Sequence, residues 1–431
     1  MFTVFRNAWK IQDLRKKILY TILIIVIFRI GCAIPVPFIN AAAFQQAMAN
    51  TTGSFTDIFN VMSGGSFKDA TLFALSITPY INASIIINLL TVAIPALERL
   101  SKEGEAGRQK INKITKIASL ILSVVLAIGY YLTLKHSGGI VYSSGATGWF
   151  TAIVIIAVFS AGASLIMWLG DCINEKGIGN GISMILFASI VSRGLDAVNA
   201  MIAAFELGSQ YYVLVPIVIA IFVVLIGFVV YVTEAERRIP IQYAKMVKGR
   251  KMYGGQNTHI PIKVAMNGVM PIIFAMSLMS IPSTIVQFTG EPTPGTFWYW
   301  CYWLLSASGP LYAIIYFLLI IGFSYFYSAI QYNPIEIANN LRKNNGGIPG
   351  IRPGKPTSDY IQRVLNKITL VGAFFLGVIA IIPILIGKAD NNLMALSMGG
   401  TTILIAVSVA LETTRTLESH LMMRHHKGFL S

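Results

Sequence analysis

Apolar residues run along this chain in long blocks, and short polar stretches between them carry nearly all the charge. A crossing needs about 20 apolar residues at ~1.5 Å each to cover ~30 Å of hydrocarbon. By that measure the pattern predicts ten crossings, at about 18–37, 72–95, 117–134, 149–170, 180–202, 212–233, 265–288, 310–330, 368–386 and 393–411. They are expected to be helices, because barrel strands would read as short alternating segments. One stretch breaks the pattern. In SFTDIFNVMSGGSF, Phe55, Ile58, Phe59 and Met62 fall at helical spacing, Ser54 and Asp57 have capping-box spacing, and Gly64 and Gly65 stop the run. At ~1.5 Å per residue this helix reaches roughly 14 Å, half a crossing, yet it lies between two full ones.

Charge gives the orientation. Lys and Arg number five in the N-terminal arm, six at 96–116, one at 171–179, seven at 234–264, six at 331–367 and three in the C-terminal tail. The opposite side has only Lys68, Lys135 and Lys388, while Arg29 and Arg193 lie inside predicted spans. The asymmetry predicts that both termini and the basic loops are cytoplasmic. Composition agrees with a multi-pass membrane protein: 55% apolar, 12% charged, mean hydropathy +0.68. The net charge of +15 is thereby a topology signal rather than a nucleic-acid footprint. The first apolar segment is too long for a removable signal peptide and no small-residue cleavage pattern follows it.

The far side is short except at Thr289–Pro310, where six aromatic residues between Phe297 and Trp303 read as an interfacial belt, with a further short crossing as the competing reading. The near side has two long connections. From Arg237 to Lys263 cations alternate with Ile, Tyr and Met, the period of a strand, which suits a protruding hairpin turning near Gly249. In the second, Pro349 and Pro353 flank Arg352 on a stiffened tip. Both are longer and more ordered than a topology signal requires, which points to docking of a soluble partner.

Several motifs fail on inspection. Gly350, Gly354 and Lys355 are spaced one residue short of a phosphate loop, and Pro356 follows. Asn82-Ala83-Ser84 lies inside a crossing, out of reach of glycosylation. GIGNG, Gly177–Gly181, lacks the strand-to-helix setting of a dinucleotide site and reads as a tight turn or close-packing point. Cys32, Cys172 and Cys301 show no paired spacing, and His425 with His426 reads as a solvated basic tail. Within the spans only Arg29, Arg193 and Asp196 are ionisable candidates; Asp196 can neutralise Arg193, and Arg29 can snorkel or bond carbonyls. No nucleophile–base pair is present, so no enzyme activity and no cofactor are expected. Ile77, Ile81 and Ile85 recur every fourth residue beside Asn82 and Asn88, a pattern whose default reading is lipid-facing isoleucine, with a pathway as the alternative. A secondary transporter for a small solute therefore stays open beside a gated channel.

FRIGCAIPVPFIN, FNVMSGG, ITPYINASIIINLLT, KEGEAGRQKI, GIGNGIS, RRIPIQYAK with THIPIKV, NPIEIANNLRK, PGIRPGKPT and GGTTILI, in this order and from the first crossing to the tenth, resemble the SecY family, large subunits of bacterial Sec protein-conducting channels. The resemblance implies an all-α polytopic fold of ten transmembrane helices in two inverted pseudo-symmetric halves of five, 1–203 and 204–431, with cytoplasmic loops at about 234–264 and 331–367. It implies a re-entrant plug helix at about 55–67 that includes Phe55, Ile58, Phe59, Met62, Gly64 and Gly65. It implies a pore ring of Ile77, Ile81, Ile182, Leu186, Met270, Ile273, Thr401 and Ile405, where Leu186 and Met270 depart from the family's isoleucines. A lateral gate between the second and seventh crossings would include Asn82, Ile85, Asn88 and Met276. Arg237, Arg238, Lys245, Lys248, Arg250, Lys251 and Arg352 would dock a SecA motor ATPase or a translating ribosome. Implied as well are SecE and SecG small subunits, preproteins bearing signal sequences, surrounding membrane lipid, and a place in the cytoplasmic (inner) membrane. Such a channel conducts unfolded secretory polypeptides and releases transmembrane segments sideways into lipid.

Overall fold

The computed structural model describes the chain except residues 1, 51–59, 61–62, 143–144, 195–197, 200–201, 203–204, 206–210, 244–245, 249–250, 254–256, 266–267, 290–294, 306–308, 310, 390–398 and 426–431. The N-terminal part has α1 (Phe2–Lys10), α2 (Gln12–Ala33), α3 (Ala41–Asn50), α4 (Thr78–Ala93), α5 (Pro95–Lys102), α6 (Glu105–His136), α7 (Gly145–Lys176) and α8 (Gly181–Ser192). Then follow α9 (Tyr211–Glu234), strands β1 (Glu236–Tyr243), β2 (Met246–Lys248), β3 (Lys251–Tyr253) and β4 (Asn257–Lys263), and α10 (Met270–Thr289). The rest is α11 (Phe297–Leu305), α12 (Tyr312–Gln331), α13 (Pro334–Lys343), β5 (Gly346–Gly347), α14 (Lys355–Ala389) and α15 (Gly399–His425).

Among the described residues five helices are long and apolar enough to cross a membrane, or six if α4 and α5, bent by 105° to each other, form one span. The helices are apolar on more than one face, so a narrow stripe decides what packs inward. On α2, Thr21, Ile24, Phe28, Gly31 and Cys32 are buried at helical spacing, while Leu23, Ile27 and Ile30 stand exposed where lipid would lie. Gly31 permits this contact: a β-carbon there would strike the ring of Phe73, which stacks on Phe28 at 5.5 Å.

Element boundaries depart from the hydropathy windows in ways that have local causes. The second crossing was expected from 72, but residues 63–77 form turns and a bridge with positive φ at Ala70 and Ser76, and α4 starts only at Thr78 with Pro79 in its first turn. The fifth was expected to 202, whereas α8 closes at Ser192 and Arg193 caps it. The ninth begins at Lys355 rather than 368, and α13 shortens the preceding loop further. The aromatic stretch after 289 contains α11, nine residues, too short to cross. The half-helix expected at Ser54–Met62, with Phe55, Ile58, Phe59 and Met62, lies outside the described residues.

GIGNG is a close-packing turn, as its small residues suggest. The Asn180 side chain caps α8 by accepting from the Ile182 and Ser183 amides, and Gly181 donates its amide to Asn174 Oδ1 at 2.7 Å. A β-carbon on Gly181 would collide with the Gly170 carbonyl, so α7 and α8 touch backbone to backbone.

The hairpin expected from the alternating cations forms. β1 lies between β4 and β5, antiparallel to both, with Ile239 opposite Ile260, and β2 pairs with β3 through Lys248 opposite Lys251. Ile239, Ile241 and Ile262 turn inward onto Leu341 of α13 and Ile361 and Leu365 of α14, so the two basic loops share one small core.

Candidate functional site

One buried apolar cluster joins elements from both ends of the chain. α2, the segment leading into α4, α4, α7 and α8 contribute from the first part, and α10 and α15 from the second. Of the residues expected in the ring, Ile77, Ile81, Leu186, Ile273 and Ile405 are buried in this cluster, and Ile182 and Met270 pack on it half-buried. Thr401 sits on α15 one turn before Ile405; its side chain is outside the described residues. Ile185, fully buried between Ile182 and Leu186, also belongs to the cluster, as do Phe274 and Val409. Sequence reading passed over these three, and nothing in their local spacing sets them apart from other apolar positions.

The expected gate is brought together only in part. α4 and α10 pack against each other, and Ile85 belongs to the shared cluster, but Met276 packs on the separate core of α9, α10, α12, α14 and α15. Asn82 and Asn88 are half-buried on α4, where Asn88 donates to Ser84 one turn earlier.

The described part of the segment expected to be the plug is an irregular, largely buried run. Gly64 and Gly65 take φ of 65° and 98°, a left-handed backbone that glycine adopts without strain. The Gly65 amide donates to the Asn60 carbonyl at 2.8 Å, and Asn60 Oδ1 accepts the Lys68 amide at 3.1 Å. Irregular backbone at membrane depth persists only where protein or a water-filled cavity receives it. Here Ser63, Ser66 and Phe67 are buried, and Gln45 donates to Asp69 at 2.8 Å.

Below the cluster lies a cavity of about 500 Å³ lined by Asn180, Ser183, Lys263, Met270, Glu412 and Arg415 among others. Arg415 Nη2 donates at 3.1 Å to the Thr233 carbonyl in the last turn of α9, where cations are favoured. Burial at the cavity wall, then repulsion from Arg415, lowers the Lys263 pKa, and Glu236, Glu234 and Glu412 pull it back in part.

On the hairpin, Arg237 and Arg238 are exposed, and Arg238 pairs with Glu236 at 2.7 Å. Arg352 is exposed in a turn whose carbonyl accepts from Thr357 Oγ1 at 2.9 Å. Lys248 and Lys251 flank the hairpin tip in register, their side chains outside the described residues together with all of Lys245 and Arg250.

A model of the SecY family matches residues 71–414. The chain belongs to the SecY family. It is 42% identical to the protein translocase subunit SecY of Streptomyces scabiei over 446 aligned residues, covering 100% of both chains. Its fold is that of solved SecY and Sec61 channels. A SecY whose plug domain stabilises the closed state of its translocation channel superposes with a TM-score of 0.64 at 20% identity, over 94% of this chain and 92% of that one. Sec61 from a canine ribosome–channel complex of the endoplasmic reticulum gives 0.61 at 19% identity, with the same coverage. SecY proteins are channels and not enzymes, and this chain is a multi-pass membrane protein of that kind.

Proposed function

We propose that this chain is the central pore subunit of a Sec translocon in the cytoplasmic membrane, a gated channel for unfolded secretory polypeptides with a lateral exit for transmembrane segments. The observation that carries the reading is the buried apolar cluster that brings Ile77, Ile81 and Leu186 from the first part of the chain together with Ile273 and Ile405 from the second. A narrow apolar collar sheds water and so excludes hydrated ions, yet closes around any side chain because it makes no specific hydrogen bonds. Ile77, Ile81, Ile182, Leu186, Met270, Ile273, Thr401 and Ile405 form the ring in this reading. Its two halves are 1–203 and 204–431, five crossings each, with both termini cytoplasmic as the Lys and Arg distribution requires. Residues 55–67 are the plug, and Asn82, Ile85, Asn88 and Met276 lie along the lateral gate.

Energy comes from a partner on the basic loops, through Arg237, Arg238, Lys245, Lys248, Arg250, Lys251 and Arg352. A SecA ATPase would meet them with carboxylates and a ribosome with phosphates, the latter with steep salt dependence. The Sec61 neighbour was solved on a ribosome, which supports that side of the assignment. SecE and SecG complete the complex. The decisive experiment is to stall a secretory polypeptide during transport and crosslink it to single cysteines at Ile81, Ile273 and Ile405. Adducts at all three positions are expected; adducts only at lipid-facing positions would end the proposal.

A further inference from the structure

Two arginines from different helices close on the Gly64–Gly65 turn. Arg29 of α2 donates through Nη1 to the Gly64 carbonyl oxygen at 3.3 Å and to Ser192 Oγ, at the end of α8, at 2.9 Å. Ser192 spends its own proton on the Ser189 carbonyl at 2.7 Å, which leaves its lone pairs for the guanidinium. The approach is close because the turn has no side chains: a β-carbon on Gly64 would lie 3.1 Å from Arg29 Nη1 and 3.2 Å from Ser189 Cα, and one on Gly65 would lie 3.1 Å from Arg193 Nη1. These are the two arginines that fall inside the predicted spans. An arginine at membrane depth is costly unless acceptors meet its donors, and here the acceptors belong to the turn through which the plug leaves and to a helix of the collar.

We propose that Arg29 is a latch for the closed channel, tying α2 to α8 through Ser192 and to the plug's exit turn through the Gly64 carbonyl, so that the turn is released only when both bonds break. The inference rests on the plug reading above. Arg29 is itself exposed, so the latch does not depend on a dry site: its two bonds are charge-assisted, and water replaces them as the turn leaves.

The test measures ion leak without polypeptide in vesicles that hold the complete complex, comparing the parent, Arg29→Gln, Ser192→Ala, the double variant, and a deletion of residues 55–67. Arg29→Gln is expected to leak several-fold more than the parent and Ser192→Ala by a smaller factor. The double variant should leak no more than Arg29→Gln alone, since that substitution already removes both bonds, the one to Ser192 included, and partner-driven translocation should persist in all three. A leaky deletion beside a tight Arg29→Gln would overturn the latch and leave the plug standing; a tight deletion would remove the plug reading itself. Additive leaks in the double variant would also overturn the latch, because they would report two unrelated defects. If Arg29→Gln fails to accumulate, Ser192→Ala decides alone: leak supports the latch and tightness overturns it.

Discussion

Tyr130, toward the C-terminal end of α6, donates its hydroxyl to the carbonyl oxygen of Phe67, and the two rings lie 4.7 Å apart. Both side chains are buried, and the same carbonyl accepts the Ala70 amide at 3.3 Å, so the hydroxyl adds a second bond to the irregular run after Gly65. Tyr130→Phe keeps the ring contact and removes the second of two bonds to that carbonyl, a cost of about 0.5–1.5 kcal/mol. The expected result is a lower unfolding midpoint for the purified protein in detergent. An unchanged midpoint would show that water already reaches Phe67.

The collar should fail by wetting rather than by collapse. Ile81→Ser or Ile405→Ser replaces a branched alkyl group with a hydroxyl inside the shared cluster. Losing two or three carbon groups at ~0.8 kcal/mol each removes about 2 kcal/mol of dewetting, which is more than tenfold in leak at ~1.4 kcal/mol per decade. Conductance across vesicles checks this. Ile22→Ser, on the exposed face of α2, serves as the comparison and should leave the seal unchanged.

The class of this fold was legible because lipid imposes long apolar runs and translocation imposes charge asymmetry, and both are properties of a linear sequence. The true helix ends were not. α14 starts at Lys355 because its first turns need only one apolar side, Ile361 and Leu365, to pack on the hairpin, and a hydropathy window reads such turns as loop. α8 stops at Arg193 although apolar residues continue beyond it. The collar was legible only by resemblance. Ile77, Ile81 and Ile85 have the spacing of any isoleucine stripe, and what sets them apart is burial in one cluster with Ile273 and Ile405, which no local pattern encodes. Ile185 and Val409 escaped notice for the same reason.

Because Ile239, Ile241 and Ile262 share a core with Ile361 and Leu365, the two basic loops should stand or fall together. Ile361→Ala leaves a cavity under both and costs about 2–5 kcal/mol locally. Limited trypsin digestion should then cut both loops faster, at Arg237 and at Lys343. Arg352→Glu, in an exposed turn, should leave the digestion pattern otherwise intact and weaken partner-driven translocation. Parallel loss of both properties in Arg352→Glu would mean that the charge supports the loop fold rather than the partner.

Lys263 gives a test in pH. Burial and then Arg415 lower its pKa from 10.5, so the fold favours the neutral amine. Between the lowered value and 10.5 the unfolded chain holds more protons, and this group's contribution to stability rises with pH through that window. Acylation of Lys263 should reach half-rate at a lower pH than for a free lysine side chain. Arg415→Gln removes the repulsion and should move that midpoint upward; a midpoint that stays put would assign the whole shift to burial.

The contact between α7 and α8 is the most constrained point beneath the collar. A β-carbon at Gly181 meets the Gly170 carbonyl, a backbone atom that cannot swing aside. Gly181→Ala must therefore push the helices apart, at an overpacking cost of about 1–3 kcal/mol. α8 would carry Ile182, Ile185 and Leu186 with it, so the variant should be less stable and should also leak ions. Gly227→Ala, in α9, meets nothing within 4 Å. It exchanges glycine for a residue about 1 kcal/mol better in a helix and should keep the seal with no loss of stability. Thermal unfolding and vesicle conductance on the two variants separate glycine's role in close approach from its backbone freedom. A Gly181→Ala protein as stable and as tight as the parent would show that the collar does not depend on how closely α8 is held.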